Sequence, residues 1–385
     1  MPGEPPPHAL GHWLLAQAYP VWSRCAWDER RGGFHERLAS DGPVAGDSRR
    51  ARVQLRQIYS FACAPDLGWA GEVCRLVRDG LAHLRARYVR DDGLVRAVVG
   101  PEGAVLDDRA LLYDQAFALL AFAAAHRLLG PDSGLEHGAQ ALLARIQSVF
   151  KRRGRGYRSE ESTERPLSSN PHMHLLEAAL AWRSVSGDPR WSDLATELVD
   201  LALTELIDAS SGVLREYLQV EGTEQAGIAG RLIEPGHQFE WAWLLLRAGA
   251  AAPAHGEHVS RRRIPAAIFA AARELIGNAE QYGVRDGFAV NALLDDMQVC
   301  DPRARLWPQT ERLKAHALMA RLTGEGRHAD LAAQAGDALL RYLQTGVRGR
   351  WHDQRLPDGS FVSEPSPASS LYHIVCAARE LATAG

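Results

Sequence analysis

Apolar residues recur at helical spacing along nearly the whole chain, interrupted by Gly, Pro, Asp and Ser. The pattern predicts helices near residues 8–27, 49–64, 70–89, 109–129, 133–151, 169–187, 190–208, 235–250, 263–278, 307–322, 327–345 and 368–383. Between alternate pairs lie short polar pieces with glycine, such as Gly32-Gly33-Phe34, Asp91-Asp92-Gly93, Ser211-Gly212-Val213, Asp286-Gly287-Phe288 and Arg350-Trp351-His352-Asp353. These read as hairpins or extended loops and not as a sheet of their own. The second helix of each pair starts near 49, 109, 169, 235, 307 and 368, a period of roughly 60 residues, which is the mark of a repeat built from helical hairpins.

The two helices of a pair differ in kind. The first is mostly Ala, Leu, Arg and Glu with an ordinary solvated face, whereas the second opens on polar residues: Arg52, Gln54, Arg56 and Gln57; Tyr113, Asp114 and Gln115; Asn170, His172 and His174; His237 and Glu240; Trp307, Gln309 and Glu311; Tyr372 and His373. If the pairs close into a ring, six polar helix starts converge on one pocket. An open superhelix would spread the same residues along a groove for a protein partner. The richest of these starts is Glu234-Pro235-Gly236-His237-Gln238-Phe239-Glu240-Trp241-Ala242-Trp243, in which His237 and Glu240 share a helix face. An imidazole beside a carboxylate and flat indoles suits proton transfer on a sugar near neutral pH; a core helix with a satisfied histidine is the plain alternative, and Trp241 and Trp243 read as core.

Composition narrows the possibilities. The chain has 385 residues, is 46% hydrophobic and 24% charged, and carries a net charge of −3, which gives no electrostatic case for nucleic acid or an anionic membrane surface. The start MPGEPPPHAL lacks a basic region followed by an apolar one, and there is no apolar run of about 20 residues, so a cytoplasmic protein without a membrane span is expected. Five scattered cysteines without CxxC spacing read as free thiols. His172 and His174 diverge by about 200° on a helix and so cannot readily share an ion. Neither GxxxxGK[ST] nor GxGxxG occurs, and no metal or nucleotide cofactor is expected. Asp107-Asp108 reads as the cap of the helix near 109. His126, His137, His255, His258, His316 and His328, with no polar constellation around them, read as surface or packing residues.

The blocks Leu55-Arg56-Gln57-Ile58-Tyr59-Ser60-Phe61, Tyr113-Asp114-Gln115-Ala116-Phe117, Asn170-Pro171-His172-Met173-His174-Leu175-Leu176-Glu177, Gly236-His237-Gln238-Phe239-Glu240, Trp307-Pro308-Gln309-Thr310-Glu311 and Leu371-Tyr372-His373 together resemble the N-acylglucosamine 2-epimerase superfamily, from about residue 10 to the end and in the family's order. The resemblance implies an all-α (α/α)6 barrel forming one domain over 1–385. It implies general acid/base roles for His237 and His373, with Glu240 as the carboxylate beside the first. Arg56, Asn170 and His174 would bind sugar hydroxyls or assist ring opening, and Trp307 would form an aromatic wall. Tyr113 and Gln115 would face the cavity, with Gln309 and Glu311 completing the substrate-binding set. The expected substrate is a free monosaccharide, D-mannose interconverting with D-fructose, with 2-epimerisation as the alternative and glycoside hydrolysis as a remoter one. The family's cellobiose epimerases carry a Trp five residues before the last histidine; here that position is Ala368, which speaks against a disaccharide. The oligomeric state stays open.

Overall fold

In the computed structural model, all residues are described except 1–5, 162–166, 219–227, 251–260, 262–263 and 384–385. The first helical rod runs as α1 (Pro6–Trp13), a π turn (Leu14–Ala18) and α2 (Tyr19–Cys25). There follow α3 (Ala51–Ala62), α4 (Val73–Arg87), α5 (Leu112–Leu129), α6 (Leu135–Phe150), α7 (Ser169–Arg183), α8 (Pro189–Leu201), α9 (Pro235–Gly249), α10 (Ala266–Gly283), α11 (Leu306–Thr323), α12 (Gly326–Tyr342) and α13 (Ser369–Ala382). Helices α3, α5, α7, α9, α11 and α13 pack each on the next, and α13 returns to α3, so the ring is closed and the open superhelix is excluded. The remaining helices stand outside it. The fold is an (α/α)6 barrel.

Burial follows from composition. Along α5, LYDQAFALLAFAAAHRLL, alanines and leucines occupy every face, and the helix is buried all round within the ring. Outer helices such as α4 and α12 instead carry one apolar stripe and a charged, exposed back. Buried apolar side chains from Leu10 to Leu381 form one contiguous core; Val213, Ile233, Val290 and Leu293 make a small separate cluster.

The connections contain the expected hairpins, but they also join into small sheets, which was not expected. Each inner helix is entered directly from a short strand: β3 (Arg49–Arg50), β5 (Val105–Ala110), β6 (Leu167–Ser168), β8 (Leu232–Ile233), β13 (Ala304–Arg305) and β15 (Ser366–Pro367). These pair into small antiparallel sheets, three of them three-stranded, at the end of the barrel where the inner helices begin. Asp107 and Asp108 consequently lie in β5 and not at a helix cap; Asp107 pairs with Arg109, and α5 starts beyond an extended Leu111. The hairpin turns need left-handed residues, which glycines such as Gly93 (φ 84°) and Gly212 (φ 66°) supply without a Cβ penalty.

One contact repeats around the ring. The fourth residue of an inner helix reaches back to the hairpin that follows the neighbouring outer helix. Gln54 accepts from the Phe34 N–H and donates to its carbonyl, Gln115 does the same with Val95, Gln238 with Leu214, and Gln309 with Ala289, at 2.6 to 2.9 Å. In the third repeat His172 takes this place, its Nε2 accepting from the Tyr157 N–H at 2.9 Å. In the sixth, Ser366 makes both bonds to Trp351. An amide satisfies an N–H and a C=O of one residue together, so each clamp fixes a hairpin against a helix start without leaving a buried polar group unpaired. Gln309→Leu should therefore destabilise the fold by about 2–4 kcal/mol, since it orphans two buried backbone groups, while leaving the catalytic constants of the folded protein near those of the wild type. Denaturant unfolding and steady-state kinetics on the same preparation check both.

Candidate active site

A cavity of about 210 Å³ opens where the inner helices begin. Its walls come from the first two turns of those helices: Arg56 of α3, Tyr113 of α5, Asn170 and His174 of α7, His237 and Glu240 of α9, Trp307 of α11, and Ser369, Ser370 and His373 of α13. Glu234 and Arg305 just ahead of two helices, and Asp353 from the last hairpin, complete it. Eight of the eleven residues expected at the site thus meet. Gln115, Gln309 and Glu311 do not line it. The two glutamines are spent on the hairpin clamps. Position four of a helix points about 200° away from positions two and six, where Tyr113, Asn170, His174 and Trp307 face inward. Glu311 lies beneath the floor, fully buried.

Three histidines are held in one way. Nδ1 of His237 meets Oε2 of Glu216 at 2.8 Å, Nδ1 of His174 meets Oε2 of Glu177 at 3.2 Å, and Nδ1 of His373 meets Oε1 of Glu311 at 2.9 Å. A carboxylate only accepts, so each Nδ1 carries the proton and each Nε2 is the atom left for the cavity. Of these glutamates, Glu177 and Glu311 sit in quoted motifs; Glu216 comes from the bend just before β7 (Tyr217–Leu218), and only the fold reveals it.

The electrostatic environments of the histidines diverge. Burial opposes a charge on His237, but the carboxylates of Glu216 and Glu234 outweigh it and raise the imidazole to about 9. Burial holds His373 well below the ordinary histidine value, and Arg56 and Lys314 push the same way. His174 falls to about 4, again chiefly through burial, against the pull of Glu177. At neutral pH the cavity therefore holds one imidazolium, His237, and two neutral imidazoles. Burial also raises the Glu240 carboxyl well above the usual range, with Glu311 adding to it, and Glu240 Oε1 has no hydrogen-bond partner.

Trp307 stands between the two candidate acid/base groups, with ring centroids 5.0 Å from His237 and 5.7 Å from His373. Gly236 permits this, since a Cβ there would lie 2.4 Å from the indole. Arg56 donates to the Tyr113 hydroxyl at 2.5 Å and lies over the Phe117 ring at 4.4 Å, which leaves its charge directed at the cavity. Ser370 donates to Asp353 at 2.6 Å, and Arg305 pairs with Glu234 at 3.1 Å. Trp241 and Trp243 are buried outside the cavity walls.

Among the described residues, two groups bring three ligand atoms within reach of one cation: His174, Glu177 and Glu240, and Glu216, Glu234 and His237. In each, the histidine Nδ1 is already bonded to a glutamate of the group. His172 belongs to neither, its two ring nitrogens being taken by Tyr157 and the Ser168 carbonyl. His316 and His328, expected to stand apart, do not: their Nδ1 atoms are 2.9 Å apart on the outer side of α11, and Nε2 of His316 lies 3.2 Å from Glu280. His255 and His258 lie outside the described residues.

The closed α/α barrel thus presents glutamate-anchored histidines in a small polar cavity at the end where its inner helices begin. The sequence profile of the N-acylglucosamine 2-epimerase (GlcNAc 2-epimerase) family matches residues 32–377. A mannose-6-phosphate isomerase of Rhizobium meliloti (strain 1021) is 42% identical over 97% of this chain and 95% of its own. A D-mannose isomerase of Thermobifida fusca is 28% identical over 80% of this chain and 82% of its own. The solved structure of cellobiose 2-epimerase from Spirochaeta thermophila DSM 6192 superposes with a TM-score of 0.85 over 98% of this chain and 96% of its own, at 21% identity, which speaks to the fold. The chain belongs to the N-acylglucosamine 2-epimerase family and is a sugar isomerase or epimerase.

The charge on His237 has a thermodynamic consequence. Its pKa stands near 9 in the folded protein against 6.5 for an ordinary histidine. The folded state holds the extra proton between these values, so the stabilisation is complete below pH 6.5 and is lost as pH rises through about 9. By linkage the difference amounts to roughly 2–4 kcal/mol. Unfolding free energy measured by denaturant titration should fall across this window, and the fall should shrink in Glu216→Gln.

Proposed function

We propose that the protein, as a single catalytic domain, interconverts a free aldose and its ketose, with D-mannose and D-fructose as the pair. The observation that carries this reading is the pair His237 and His373. They face one small cavity from α9 and α13, with the first held protonated and the second neutral. Groups pushed apart in this way are suited to act as acid and base. In the open-chain sugar, Nε2 of His373 takes the proton from C2 while the electrons move onto the C1 oxygen. Arg56 and the His237 imidazolium hold the resulting enediolate. Returning the proton from His373 to C1, while the O2 hydroxyl passes its own proton to O1 and C2 becomes a carbonyl, gives the ketose with C1 as a hydroxymethyl group. Delivery of a proton from His237 to the opposite face of C2 would instead give the epimer. Asn170, Tyr113, Asp353 and Ser369 are placed to bind hydroxyls, and Trp307 to cover the sugar's C–H face.

Free sugar is favoured over a sugar phosphate by the charges. The cavity carries the guanidiniums of Arg56 and Arg305 against the carboxyl groups of Glu234, Glu240 and Asp353, and Arg305 is already paired with Glu234. The His237 imidazolium is likewise paired, with Glu216, so a phosphate would meet these carboxyl groups with only Arg56 free of a carboxylate partner to hold it. The Rhizobium meliloti relative, named for mannose 6-phosphate, supplies the second reading. For the hydrolase alternative, Glu240 lines the cavity without the second carboxylate it would need from Glu311 or Asp114: Asp114 pairs with Arg52 at 3.0 Å, and Glu311 is bound to His373 and Lys314 beneath the floor.

Incubation in D₂O with D-mannose or mannose 6-phosphate, followed by NMR, tests the reading. Fructose deuterated at C1, formed faster from mannose than the phosphorylated product from its substrate, is expected. Glucose deuterated at C2 as the first product would establish epimerisation instead. His373→Ala should lose about 10²–10⁴ in kcat with the helical fold intact. Turnover should survive dialysis against a chelator, because in both groups with cation-binding geometry the histidine Nδ1 is already bonded to a glutamate of the same group; loss restored only by a divalent metal would refute a metal-free mechanism.

A further inference from the structure

Beneath the cavity floor lies a cation that the proton-transfer scheme does not use. Lys314, one turn along α11 from Glu311, has no solvent exposure and does not line the cavity. Its Nζ is 2.5 Å from Oε2 of Glu311 and 3.8 Å from the centre of the Trp243 ring. Around it converge three buried carboxyl groups from three neighbouring inner helices: Glu177 of α7, Glu240 of α9 and Glu311 of α11. Two of these carry the histidines His174 and His373. Removing an ammonium from water entirely is costly, and an apolar side chain of similar length would fill the same space more cheaply. What the lysine supplies is charge at one carboxylate oxygen, while the other oxygen of the same group meets His373.

We propose that Lys314 is a positioning residue: it keeps Glu311 ionised, so that Glu311 accepts from Nδ1 of His373 and leaves the Nε2 lone pair directed at the substrate. This rests on the assignment of His373 as the base. Burial holds the Glu311 carboxyl above its ordinary value, and Lys314 is the largest influence pulling it back down. Without the lysine a protonated Glu311 donates to Nδ1, the ring proton moves to Nε2, and the atom facing C2 is a donor where an acceptor is needed. Glu240 lies in the same field: burial raises its carboxyl well above the usual range, and Lys314 pulls it down.

The test compares the wild type with Lys314→Met, a neutral side chain of similar length. Imidazole ¹⁵N shifts of His373, assigned by difference from His373→Gln, should report the Nδ1–H tautomer in the wild type and Nε2–H in the variant. In parallel kcat should fall about 10–100-fold with KM nearly unchanged, the effect expected when a partner that orients a functional histidine is lost. An unchanged tautomer, or an unchanged kcat, would overturn the proposal. If Lys314→Met does not fold, Glu311→Gln and Lys314→Met/Glu311→Gln, which removes both charges together, replace it. A lysine that acts through Glu311 has no further effect once Glu311 is neutral, so the two should share one kcat, and a further tenfold fall in the double variant would overturn the proposal. The tautomer reading does not need turnover, so a wild type inactive on mannose would sink the proposed reaction and still leave the linkage of Lys314, Glu311 and His373 to be decided.

Discussion

Six helices without a solvated face meet around one axis, so every polar side chain at their N-terminal turns must find its partner inside the ring. That constraint organises the molecule. A buried donor or acceptor left alone costs free energy comparable to the whole gain from a hydrogen bond. The chain meets most of the demand in two layers: amides at position four fasten the hairpins, and glutamates fasten the histidines, while Oε1 of Glu240 stays without a partner. The first layer holds the helix starts in register around the ring; the second uses the positions so fixed.

The same burial that must be satisfied also creates the chemical differences. His237 and His373 are the same side chain with the same kind of partner, yet one is raised to about 9 and the other lowered well below its usual value. Two carboxylates, Glu216 and Glu234, crowd His237, whereas Arg56 and Lys314 lie near His373. Low polarisability inside the ring amplifies these neighbours, so small differences in which charges stand close separate an acid from a base.

A strict sixfold repeat would have given six equivalent helix starts and no direction to the chemistry. The departures from the repeat make the site. His172 replaces a glutamine as the clamp of the third unit, Ser366 replaces it in the sixth, and the residues at positions two and six vary from unit to unit. Glycine at 236 leaves room for the indole of Trp307 between two histidines.

The number of helices, their alternation in kind and the convergence of their starts were all legible from the chain, because a fully buried helix and a half-exposed one leave different patterns at 3.6-residue spacing. Helical geometry could also have excluded Gln115 and Gln309, since each lies two residues from an inward-facing neighbour; the argument that separated His172 from His174 applies to them unchanged. Glu177 and Lys314 were within reach for a related reason, each being one turn from a polar partner on its own helix. Glu216, Asp353 and the pairing of Arg305 with Glu234 were not, because their partners are brought to them by ring closure across many residues of chain. The charge states of the histidines belong to the tertiary structure for the same reason. A pKa is set by burial and by the nearest charges in space, and no spacing along the chain records which charges those are.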